Sequence, residues 1–122
     1  MIDYVMTGPD TIEVTVSGHI SKREVDDFWA KLDADLQANP SEDGKFKVLE
    51  IIDSLQGMDP MAFWEHLHRA FPKIHRFSHA AIVADQNWIA ALANFAGMFI
   101  PAQVKTFPRD QVAAARAWLA GA

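Results

Sequence analysis

Between Thr11 and Ser17 the chain alternates, with Ile12, Val14 and Val16 separated by Glu13, Thr15 and Ser17. That period of two predicts a strand with one face toward water. Ile2 to Met6 is its predicted hairpin partner, across a Thr7-Gly8-Pro9-Asp10 turn whose residues supply or restrict turn dihedrals. After Ser21 the period lengthens. Val25, Phe28, Trp29, Leu32 and Leu36 recur at steps of three and four, while Asp26, Asp27, Lys31, Asp33 and Asp35 fill the other face. A helix buried along one stripe follows. Ser21-Lys22-Arg23-Glu24 fits a capping box at its start, and Asn39-Pro40 stops it before the polar loop Ser41-Glu42-Asp43-Gly44.

Lys47 to Ile52 is a mostly apolar run, as expected of a strand covered on both faces, and Asp53-Ser54-Leu55-Gln56-Gly57 reads as the loop after it. Asp59 caps a second predicted helix with Pro60 at its first position, a core stripe of Phe63, Trp64, Leu67 and Phe71, and an end at Pro72. Ala80 to Ala84 is predicted as an interior strand, residues 87–99 as a third helix, and Gln103 to Phe107 as a strand whose Lys105 suggests a sheet edge. The last helix runs from Arg109 to Ala120 and ends at Gly121. The order β-β-α-β-α-β-α-β-α predicts an α/β fold with a mainly parallel sheet and helices packed on it.

Composition narrows the chemistry. The 122 residues are half hydrophobic, enough for one domain over 1–122 with roughly two thirds of its surface buried. Cysteine is absent, which excludes disulfides, zinc ribbons, iron–sulfur clusters and a thiol nucleophile. Sixteen acidic residues against eleven basic ones leave a net charge of −5, which disfavours nucleic acid as a partner. MIDYVMTGPD has neither the basic nor the apolar region of a signal peptide, so a cytoplasmic location is expected.

Five histidines (His19, His66, His68, His75 and His79) invite a metal reading that their spacing opposes. His66 and His68 point to opposite sides of a helix, and His75 and His79 span a loop into a strand. Neither a metal nor a cofactor is expected. Ser54 stands between a strand and a helix, where a nucleophilic or phosphorylated serine can sit, but no GxSxG elbow, P-loop or GxGxxG accompanies it. An enzyme would have to use His68 with Asp53 or Ser54. No convincing acid–base pair is present, and the expectation is a protein without catalytic activity.

Residues 86–104, QNWIAALANFAGMFIPAQV, carry no charge. Gln86, Asn87, Asn94, Pro101 and Gln103 interrupt them as a membrane span. The predicted helix has Trp88, Ile89, Leu92, Phe95, Ala96 and Phe99 on one face, and Ala90, Ala91, Asn94, Gly97 and Met98 on the other. Such a helix is buried by another element or a second subunit, or it lines a groove for an apolar ligand or a bilayer surface. The groove expected between the second and third helices has Trp64, Leu67, His68, Trp88, Asn94, Phe95, Met98 and Phe99 as its wall. His68 and Asn94 are its polar handles.

AAIVADQNWIAALANF followed by QVKTFPRDQVAAARAWLAG resembles the SpoIIAA-like branch of the STAS superfamily, the fold of bacterial anti-sigma factor antagonists, also described as STAS/SEC14-like. The resemblance covers nearly the whole chain and implies a mixed sheet of about five strands with about four helices around it. Antagonists of this family carry an Asp-Ser-Ser-Gly-like loop in which a kinase phosphorylates a serine. Here the stretch is Asp53-Ser54-Leu55-Gln56-Gly57-Met58, with Leu55 in place of the second serine. Two readings follow: a binding module for a small apolar or lipid-like molecule, with peripheral membrane contact, or a regulatory module that docks a protein at Asp53, Ser54, Gly57 and Asp59.

Overall fold

A computed structural model describes residues 1–8, 10–38, 44–58, 76–84 and 103–122. Its five strands form one sheet in sequence order: β1 (Ile2–Met6), β2 (Thr11–Ile20), β3 (Phe46–Met58), β4 (Phe77–Ala84) and β5 (Gln103–Phe107). β1 is antiparallel to β2, and every later pairing is parallel. The mixed, mainly parallel sheet expected of the chain is therefore present, with Lys105 on an edge strand and the Ala80 run inside the sheet. Helix α1 (Lys22–Ala38) follows β2, and a short 3₁₀ turn (Arg109–Gln111) leads from β5 into α2 (Val112–Ala120). The two helices expected between β3 and β5 fall on residues outside those described.

The capping box closes α1 as its sequence predicts. The Ser21 amide donates to Glu24 Oε2 at 2.9 Å, and the Glu24 amide donates to the Ser21 hydroxyl at 3.3 Å. The Met1 ammonium lies 3.3 Å from the other Glu24 oxygen. One turn on, Lys22 and Asp26 pair at 2.9 Å along the exposed face.

Alternation along the strands divides the core in two. Ile12, Val14 and Val16 of β2 and Ile52 of β3 face α1, where Val25, Trp29, Leu32 and Leu36 bury their stripe against them. Phe28 of that stripe is only half-buried and meets Tyr4 of β1 edge-on, ring centroids 5.7 Å apart. Burial and the nearby Asp35 carboxylate push the pKa of the Tyr4 hydroxyl well above the phenol range. Leu49 and Ile51 of β3 point the opposite way, with Ala81 and Val83 of β4 and Phe107 of β5, under Ala115 and Leu119 of α2. Ala81 and Ala115 are both fully buried, and two such small side chains let helix and sheet approach closely. Arg116 of α2 reaches beyond this patch to Glu13 of β2, with Nη2 and Nε at 2.9 and 3.2 Å from one carboxylate oxygen.

Three boundaries differ from expectation, one of them the start of β4, which lies at Phe77 rather than Ala80. β2 runs three residues past Ser17 to Ile20, and β3 runs on to Met58 through the segment read as a loop. At the other end of the chain, Gly121 closes α2 at φ −86°, without the left-handed conformation that a terminal glycine often supplies. The Gly121 amide donates to the Ala117 carbonyl at 3.1 Å and the Ala122 amide to the Leu119 carbonyl at 3.2 Å.

Candidate functional site at the carboxyl edge of the sheet

β2, β3, β4 and β5 all end on one edge, the side on which open α/β sheets hold their ligands. Asp53, Ser54 and Gly57 lie at this edge as expected, but in strand rather than loop. Pairing keeps step as far as Ser17 with Asp53, then becomes Gly18 with Leu55, His19 with Gly57 and Ile20 with Met58. Ser54 and Gln56 therefore have no Cα partner on β2, and residues 53–58 are matched to only 17–20. Bulges of this kind twist and bend a strand locally, and they recur beside functional sites.

The local sequence explains both the structure and the misreading. Gly18 takes φ +65°, in the left-handed region, so β2 turns without a Cβ penalty where its register slips. Loss of alternation after Ile52, together with Ser, Gln and Gly, carries the signature of a turn when only one strand is in view. The parallel ladder to β2 overrides it.

Asp53 is held from the far side. Ile51, Val83 and Phe107 lie level across β3, β4 and β5, so Arg109, two residues past Phe107, comes level with Asp53. Its Nη2 sits 2.9 Å from Asp53 Oδ1, spanning the end of β4. Both side chains keep partial solvent contact, 47% for Asp53 and 29% for Arg109. His19 is exposed on β2 opposite Gly57. Sequence reasoning missed Arg109 and His19 as members of this edge. The available signal was their position just past, or at, the carboxyl end of a parallel strand.

The other expected site residues lie elsewhere. Asp59 and all eight groove residues, Trp64, Leu67, His68, Trp88, Asn94, Phe95, Met98 and Phe99, are outside the described residues. His79 stands at the start of β4, its Nδ1 3.0 Å from the Ser78 hydroxyl and its ring edge-on to Trp118 at 5.5 Å. Among the described residues no cluster of three or more His, Asp or Glu side chains has the arrangement of a metal site. No helix among them is long and apolar enough to cross a membrane.

Comparison with known proteins places this architecture. Similar solved structures include an uncharacterised protein of the DUF3478 family with a SpoIIAA-like fold from Shewanella loihica PV-4, 20% identical, at a TM-score of 0.80 over 98% of this chain and 92% of that one. The anti-sigma factor antagonist SpoIIAA in its unphosphorylated form is 12% identical, with a TM-score of 0.62 over 97% of this chain and 98% of that one. The phosphorylated form of the Bacillus cell fate determinant SpoIIAA is 14% identical, with a TM-score of 0.62 over 96% and 99%. At these identities the likeness is one of fold. No curated protein sequence matches the chain. The SpoIIAA-like family model matches residues 11–120, and on that match the chain belongs to the SpoIIAA-like family.

Proposed function

We propose that this chain is a non-catalytic regulatory module of the anti-sigma-antagonist type, working in the cytoplasm and docking a partner protein at the carboxyl edge of its sheet. The observation that carries the reading is the double bulge at Ser54 and Gln56, beside the Asp53–Arg109 pair. It puts an irregular stretch of backbone beside a partly exposed ion pair at the end of a regular sheet, as recognition of a protein surface requires. Structures of SpoIIAA in unphosphorylated and phosphorylated forms share the fold, which supports a regulatory role. Leu55 replaces the second serine of the family loop, so this module lacks the usual phosphorylation serine and keeps Ser54 as its hydroxyl.

The test is affinity capture under native conditions with the wild type, Ser54→Asp and Asp53→Arg, each checked for folding by circular dichroism. A stoichiometric protein partner recovered by the wild type and lost from both variants supports the proposal. Equal recovery by all three removes the docking site from this edge.

A second reading rests on a different observation, the nineteen uncharged positions of residues 86–104. It makes the chain a carrier or sensor of a small apolar or lipid-like molecule, with contact to a membrane surface, in the groove from Trp64 to Phe99. Native mass spectrometry of freshly purified protein tests it. A reproducible small-molecule adduct, released by organic solvent and absent from Met98→Asp, favours this reading; a clean protein mass sinks it.

A further inference from the structure

We draw no further inference here: the strongest candidate, the open groove of about 800 Å³ between residues 4–8 and Lys31, Ala34 and Asp35 of α1, carries nothing, since its Asp35 carboxylate already lies against the Tyr4 hydroxyl and nothing in the structure shows what covers the groove.

Discussion

Arg109 places a guanidinium nitrogen 2.9 Å from the Asp53 carboxylate, across the end of β4 and at the point where β3 leaves regular register with β2. The pair ties the segment after β5 to the first residue of the bulged ribbon. Because both groups keep contact with water, their mutual coupling contributes little to folding, about 0.2–1 kcal/mol. A double-mutant cycle of Asp53→Ala and Arg109→Ala, followed by urea denaturation, should return a value in that range. Partner affinity should fall by more than this in either single variant, since the ribbon loses the contact that positions it. A coupling of several kcal/mol in stability would make the pair a structural staple instead.

Gly18 is required by its conformation rather than by crowding. Its φ is +65°, and a Cβ built there would meet nothing within 4 Å. Gly18→Ala should therefore cost about 1–2 kcal/mol of stability through backbone strain alone. Gly18→Asn should cost less, since asparagine tolerates the left-handed region. Urea midpoints of the two variants check the order. If alanine and asparagine were equally harmless, the bulge would not depend on that dihedral.

Where a rule is local, the sequence was a sufficient guide. Ser21 and Glu24 lie three residues apart and make the capping box that this spacing predicts. Period two found β2, the turn signal at Thr7 to Asp10 found β1 as its hairpin partner, and the apolar runs found β3 and β4, because each signal is local in the chain. The end of β3 was illegible for the opposite reason. Asp53 to Met58 keeps strand geometry only because Ser17 to Ile20, some forty positions earlier, pairs with it through two slips. Arg109 joins Asp53 through a register that passes across three strands, which no local window contains. At the candidate site, Asp53 was legible as a strand-end acid, whereas its cation and its bulge were products of the sheet.

The α1 capping box also predicts a pH dependence. The Ser21 amide donating to its carboxylate, with the Met1 ammonium beside it, holds Glu24 below its usual 4.5. A carboxylate with a lower pKa folded than unfolded stabilises fully above the unfolded value and loses that contribution as pH falls through the folded one. The stability gap between the wild type and Glu24→Gln should thus be greatest near neutrality and smaller at acid pH, where the carboxylate takes up its proton. Ser21→Ala should cost about 1 kcal/mol at neutral pH through the lost cap. Urea denaturation of the three proteins at both pH values tests this. A gap that is independent of pH would show that the glutamate acts only through uncharged packing.

The two apolar clusters lie on opposite faces of one sheet, and this makes their energetics separable. Leu32 is 2% exposed between α1 and the sheet, and Leu49 is fully buried beneath α2. Each truncated to alanine should cost about 2–5 kcal/mol, the lost transfer energy plus the cavity left behind. The sheet backbone between them is tied by hydrogen bonds to neighbouring strands and resists collapse toward either void. Neither site can therefore relax into the other, and sites without shared partners add to within about 0.3–0.5 kcal/mol. The Leu32→Ala, Leu49→Ala double variant should lose the sum of the single effects, read from equilibrium denaturation in the presence of enough stabilising osmolyte to keep it folded at the start. A loss well below the sum would mean that the faces communicate through the sheet. In that event a partner bound at its carboxyl edge would be felt on both.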